Sequence, residues 1–144
     1  MVKGSKKCIE ILLLEDHSAD AERMADLLES SKLNFKLTVT GCLADGLRAL
    51  NHHAFDLILL NLSLPDSAGI ATLKAVATVI RHAVIIVLSA ADDEAYDLAG
   101  LQAGAQDCLP KDDLNAAELR RSILYAIERG NILTQAESTM QAER

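Results

Sequence analysis

Long apolar runs are missing from this sequence. The longest clean one, Ala83 to Leu88, falls far short of the roughly 20 residues that cross a bilayer, so no membrane span is expected. Positive charge is the minority, with 14 Lys and Arg against 21 Asp and Glu, a formal net charge of −7. A field of that sign repels phosphate backbones and anionic lipid surfaces, which argues against direct binding to nucleic acid or membrane. Cysteine is scarce and odd in number. Cys8, Cys42 and Cys108 are widely spaced and lie in or beside apolar segments, which suggests small buried thiols, neither a disulfide framework nor a CxxC metal site. A leader is not evident: Lys3, Lys6 and Lys7 precede an apolar run broken by Glu10 and stopped by Glu15 and Asp16, with no small-residue cleavage site, so a mature cytoplasmic terminus is expected. The chain also lacks GxxxxGK[ST], GxGxxG after the first strand, and GxSxG around Ser89, which counts against nucleotide and hydrolase chemistry. His52 and His53 are adjacent and point apart, while His17 and His82 are single, so a histidine metal site is not expected.

What is present is half apolar and only 24% charged, the composition of a chain that folds, and 144 residues suffice for one core. Short apolar runs recur at Cys8 to Leu14, Leu57 to Leu60, Val84 to Leu88 and, more weakly, Cys108 and Leu109. A fifth run, Phe35 to Val39, alternates with polar residues. Between them lie segments with helical spacing, such as Ala21, Met24, Ala25 and Leu28, or Leu43, Leu47 and Leu50, or Ile70, Leu73, Ala77 and Ile80. Strand and helix thus alternate five times. Strands apolar at nearly every position belong in a parallel sheet covered on both faces, and the alternating run belongs at its edge.

Ser18 and Ser67 are predicted to cap the first and third helices, Gly104 to stop the fourth, and Asp112 and Asp113 to mark the start of the fifth. Gly130-Asn131 has the form of a helix stop. Residues 130–144 are then either a frayed tail or the start of a coiled-coil linker helix running past a costly glycine.

Ligands in doubly wound sheets bind beyond the carboxyl ends of the strands. The residues there are Glu15 and Asp16 after the first strand, Asn61 at the end of the third, Ser89 after the fourth and Lys111 after the fifth. Adjacent carboxylates repel unless a cation sits between them, and hard oxygens without thiol or imidazole select Mg²⁺ or a similar ion. A lysine and a hydroxyl facing them suit a tetrahedral oxyanion bridged to that ion, so the pocket is fit for a phosphoryl group. Singly these residues are weak signals, since an acidic pair is often a solvated loop, a lysine often a surface charge and a serine often a cap. Their joint placement at four strand ends carries the reading.

Four segments in order, Leu13-Leu14-Glu15-Asp16, Phe55 through Asn61 to Gly69, Val87-Leu88-Ser89-Ala90 and Ala103 through Cys108 to Lys111, resemble the receiver domain of two-component response regulators. The resemblance covers about Cys8 to Arg129 and implies a flavodoxin-like α/β fold, a five-stranded parallel sheet in order 2-1-3-4-5. It implies that Glu15, Asp16 and the Ser63 backbone carbonyl hold Mg²⁺, that a side chain at position 61 accepts a phosphoryl group from a histidine kinase or phosphotransfer protein, and that Ser89 and Lys111 sense the phosphate. Two residues depart from the pattern. Asn61 stands where the family has its phosphoacceptor aspartate, and a neutral carboxamide cannot form an aspartyl phosphate, so phosphorylation should be blocked and Mg²⁺ binding weakened. Cys108 stands at the switch position of a Tyr or Phe, and a thiol cannot report by ring rotation.

The expected function is phosphorelay signalling by a non-enzymatic regulatory switch or docking domain, residues 8–129, that could govern an output domain. The alternative is a pseudo-receiver that works without phosphate, as an interaction or dimerisation module. Either would use the face of the fourth helix, fifth strand and fifth helix, where Tyr96, Leu101, Leu114, Arg120, Arg121, Tyr125 and Arg129 fall.

Overall fold

The computed structural model describes residues 8–80, 83–89 and 103–142, and only the backbone of 131–142. Its strands are β1 (Ile9–Leu14), β2 (Phe35–Thr40), β3 (Leu57–Asn61), β4 (Ser63–Leu64), β5 (Ser67–Ala68), β6 (Val84–Ser89) and β7 (Asp107–Pro110). Its helices, among the described residues, are α1 (Ser18–Ser30), α2 (Leu43–His52), α3 (Ile70–Val79) and α4 (Ala116–Ala142). Five strands form one sheet in the order β2-β1-β3-β6-β7, every pair parallel. This is the expected 2-1-3-4-5 order once the small antiparallel hairpin β4–β5, which the sequence did not announce, is counted. The expected fourth helix lies outside the described residues, so α4 is the helix foreseen as the fifth. Among the described residues no helix is long and apolar enough to cross a membrane.

Continuous apolar strands serve two cores, because successive side chains point to opposite faces. Ile11, Leu13, Leu57, Leu59, Ile86 and Leu88 pack with Met24 and Leu28 of α1 and with Leu119, Ile123 and Ala126 of α4. Leu12, Leu14, Ile58, Leu60, Ile85 and Val87 face the other way, onto Leu73 and Val76 of α3 and Leu43, Leu47 and Leu50 of α2. Only β2 is half-buried and alternating, as an edge strand should be.

Several boundaries differ from expectation. Ser18 is the first residue of α1 rather than its cap; His17 holds that place without a side-chain bond. Ser67 lies in β5, where its hydroxyl meets Thr72 Oγ1 at 2.7 Å, and Gly69, at φ 76°, precedes α3. The last helix starts at Ala116, beyond Asp112 and Asp113, because Asn115 and Glu118 cap it reciprocally: the Glu118 N–H donates to Asn115 Oδ1 at 2.8 Å and the Asn115 N–H to Glu118 Oε1 at 3.3 Å. Leu114, foreseen within the helix, stands just before it and is buried with Leu119 in the same core. Gly104 takes φ 120°, a conformation that favours glycine. Gly130 stops nothing. The helix runs through it, and a Cβ there would come within 2.5 Å of Val84 Cγ1, so the glycine serves close approach of α4 to β6. No thiol is fully buried: Cys8 is exposed, Cys42 and Cys108 are half-buried, and none of the three is in a disulfide among the described residues. Cys42 caps the start of α2, its Sγ accepting from the Asp45 N–H at 3.5 Å.

Candidate functional site

Parallel register brings the expected residues to one end of the sheet. Leu14 pairs with Leu60, Asn61 with Leu88, and Ser89 with Pro110, so Glu15, Asn61, Ser89 and Lys111 all stand at or just past the carboxyl ends of β1, β3, β6 and β7. Glu15, Asn61 and Ser89 are only 4%, 8% and 8% exposed.

Glu15 is the hub. Its Oε1 lies 2.9 Å from Lys111 Nζ, while its Oε2 accepts from Asn61 Nδ2 at 3.0 Å and from the His17 N–H at 3.2 Å. Asn61 Oδ1 in turn accepts from the Ser63 N–H at 3.1 Å. One orientation of the carboxamide satisfies both neighbours, since a carboxylate needs a donor and a backbone N–H needs an acceptor. An aspartate at this position would instead face Glu15 with a second negative charge, which only a proton or a cation relieves.

Lys111 also reaches Asp20 Oδ2 at 2.9 Å. Burial pushes the Lys111 ammonium down, but its bonds to Glu15 and Asp20 outweigh that and raise it above its ordinary value. Lys111 holds the Asp20 carboxyl below its usual range through the same hydrogen bond. Arg23, one turn along α1, donates to the Lys111 carbonyl and lies 3.5 Å from Asp112 Oδ1. Asp20 and Arg23 were not singled out from the sequence as site residues. The signal that could have found them is their spacing, which puts both on one face of the helix that follows the acidic pair.

Ser63 joins the site through its N–H, and Ser89 adjoins Lys111 through the main chain, the Lys111 N–H donating to Ser89 O at 2.8 Å. Cys108 lies in β7 opposite Val87, half-buried against the α2–α3 core. Asp66, in the turn of the β4–β5 hairpin, accepts from the Leu43 and Ala44 N–H groups at 2.8 and 2.9 Å. These bonds lower its pKa and tie the segment after Asn61 to the start of α2.

Ligand atoms of Glu15, Asp16 and His17 lie within 4.8 Å of one another. His17, set aside in the sequence reading, thus stands beside the acidic pair, its Nδ1 3.6 Å from Asp16 Oδ2. The two carboxylates suit a hard divalent cation in kind. Both Glu15 oxygens, however, already receive protein donors, and position 61 adds no charge.

On the face expected to meet partners, Tyr96 and Leu101 lie outside the described residues. Leu114 is core, and Arg120 turns the other way, donating to Ser31 O at the end of α1 at 3.0 Å. Arg121, Tyr125 and Arg129 are exposed, Tyr125 by 61%.

Residues 11–124 match the family model of the response regulator receiver domain. The chain is 30% identical over 140 residues to the cell cycle transcriptional regulator CtrA of Caulobacter vibrioides, an overlap of 90% of this chain and 60% of that protein. It is 31% identical over 131 residues to the transcriptional regulatory protein CpxR of Escherichia coli, spanning 90% of this chain and 53% of the relative. The chain therefore covers less than two thirds of either relative's length. Among solved structures, a response regulator receiver domain protein from Clostridium thermocellum superposes with TM-score 0.75 at 22% identity, over 87% of this chain and 98% of that one. The receiver domain of sensor histidine kinase PA1611 from Pseudomonas aeruginosa, with a magnesium ion coordinated in its active site cleft, gives TM-score 0.70 at 26% identity over 85% and 99%. Domains of this kind are regulatory rather than catalytic, and interact with histidine kinases and output domains. The parallel order of the sheet and the acid-to-lysine row at its carboxyl end agree with the match over residues 11–124, and this chain belongs to the response regulator receiver domains of two-component signalling.

Proposed function

We propose that this receiver domain works unphosphorylated, as a regulatory switch or docking module whose aspartyl phosphorylation is blocked by Asn61. One observation carries the reading: the neutral carboxamide of Asn61 sits at the end of β3 with both its ends engaged, on Glu15 and on Ser63. An amide delocalises its nitrogen lone pair and offers no carboxylate oxygen to attack phosphorus. In the Asn61→Asp variant a carboxylate oxygen would attack the phosphorus of a phosphohistidine or of acetyl phosphate in line, forming an O–P bond as the bond to the donor breaks. Glu15 and Asp16, with the Ser63 carbonyl, would hold Mg²⁺, which offsets the charge developing on the phosphoryl oxygens. Ser89 and Lys111 would hold the product. In the native chain Mg²⁺ affinity is weakened, because position 61 is uncharged and Glu15 is already served by donors.

The protein partners in this reading are a cytoplasmic histidine kinase or phosphotransfer protein and an output domain, and the net charge of −7 disfavours nucleic acid. Residues 8–129 are the receiver, and α4 beyond Gly130 is the start of a linker helix. With Cys108 at the switch position, coupling to a partner proceeds without an aromatic swing. The reading is tested by intact-mass analysis after incubation with acetyl phosphate and Mg²⁺. Asn61→Asp should gain the mass of one phosphoryl group and the native chain none; a native chain that gains it on Asn61's neighbours, or a variant that gains nothing, contradicts the reading.

A second reading, a phosphate-independent interaction module, is favoured by Leu124 and Tyr125, large apolar side chains 41% and 61% exposed on α4. Sedimentation velocity separates the two. Self-association without any phosphoryl analogue, lost in Tyr125→Ser, supports the second; a monomer supports the first.

A further inference from the structure

An ammonium that is only one-fifth exposed needs carboxylate partners, and Lys111 finds one of them in an unforeseen place. Asn61 gives it nothing, since its carboxamide is neutral and bonded to Glu15 and to the Ser63 N–H. The second negative charge comes from Asp20, in the first turn of α1, whose Oδ2 is as close to Nζ as Glu15 is, 2.9 Å. Arg23 fastens the same segment from the same helix, through the Lys111 carbonyl and the Asp112 carboxylate. Side chain and main chain of Lys111 are thus both gripped by α1.

We propose that Asp20 is a positioning residue that supplies the second carboxylate for Lys111 in place of the one missing at position 61, and so commits Lys111 to α1. The proposal rests on reading Asn61 as the replaced phosphoacceptor, and it adds a residue and a physical link to that reading. Its consequence is coupling between two positions whose side chains do not touch. With Asn at 61, Lys111 depends on Asp20. With Asp at 61, a third carboxylate shares the ammonium and Asp20 becomes partly redundant.

The test is a double-mutant cycle of the native chain, Asp20→Asn, Asn61→Asp and the double variant, unfolded with urea in EDTA so that no divalent cation intervenes. The Lys111 side-chain ammonium is followed by nitrogen-15 NMR in the same four proteins. Asp20→Asn should lower the urea midpoint of the native chain clearly more than that of Asn61→Asp. The ammonium signal should broaden away in Asp20→Asn, persist in the double variant, and return in Asp20→Glu. Glu22→Gln, an exposed charge change on the same helix, should leave both readouts unmoved. Equal midpoint shifts in both backgrounds, or an ammonium signal that survives Asp20→Asn, overturn the proposal. Acetyl phosphate labelling of Asn61→Asp judges the receiver reading separately: coupling without labelling keeps Asp20 and sinks the blocked phosphoacceptor, and labelling without coupling does the reverse.

Discussion

A buried carboxylate is stable only while its partners stay, and Glu15 depends on three donors of which Lys111 alone carries charge. Lys111→Met should therefore lower stability by about 2–3 kcal/mol in urea unfolding, less than a fully buried pair because Lys111 is partly exposed and two neutral donors remain. The pH dependence has a definite sign. Asp20 is depressed, so its contribution is present above its ordinary value of 3.8 and is lost as pH falls through its lowered pKa. Lys111 is raised, so its contribution is complete below 10.5 and is lost as pH rises through its elevated pKa. The Lys111–Asp20 pair should hold across the window between those limits, and Asp20→Asn should remove Asp20's share of the acid limb in a stability profile, leaving the share of Asp66 and the part of the alkaline limb due to Glu15. Of the site, Glu15, Asp16, Asn61, Ser89 and Lys111 were legible because strand ends converge at one edge of a parallel sheet. Asp20 was not, because an acid on a first helical turn looks the same whether it serves the helix dipole or a lysine from another element, and Arg23 was not, because its partners, the Lys111 carbonyl and Asp112, lie far along the chain.

At the scale of elements, apolar runs were easy to read and their ends were not. Caps depend on single hydrogen bonds, and Ser18 and Ser67 had the right chemistry one or two residues from the right place. Asn115 and Glu118 show the reciprocal spacing that sets the start of α4, and Leu114 with Leu119 adds an apolar pair across that start. Asn115→Ala should cost about 1 kcal/mol in thermal unfolding. Gly130 shows the opposite confusion, a glycine that looks like a stop and acts as a spacer. Glycine to alanine in a helix ordinarily gains about 1 kcal/mol. Here the added Cβ meets Val84 Cγ1, a short stiff side chain, so Gly130→Ala should instead destabilise by about 1 kcal/mol. The loss should vanish in a Val84→Ala background; an alanine that stabilises the native chain would contradict the close approach. Asp66 was likewise invisible, because its partners, the first N–H groups of α2, lie more than twenty residues back along the chain. Its lowered pKa means that the Leu43 and Ala44 amide resonances should hold steady above 3.8 and shift as pH falls through the lower value.

At the scale of the whole molecule, the central strands of the main sheet were legible because a strand buried on both faces has little freedom to be anything else, whereas their order was legible through the resemblance to receivers. What did not follow is how the site is wired, since that depends on which of several acids a lysine meets once four strands converge. The wiring is the core of the account: Asn61, Lys111 and the His17 N–H satisfy Glu15 with protein groups, and in the proposed function this holds the receiver in one state. The most direct measurement is the two-dimensional nitrogen-15 NMR spectrum of the native chain and of Asn61→Asp, each before and after Mg²⁺ and beryllofluoride. The account predicts that, at the Mg²⁺ and beryllofluoride concentrations that saturate the variant, the native spectrum stays in place, while in the variant resonances around Ser63, Ser89 and Lys111 shift together. A native spectrum that shifts as the variant's does would contradict it, for the site would then bind cation and phosphoryl analogue despite Asn61.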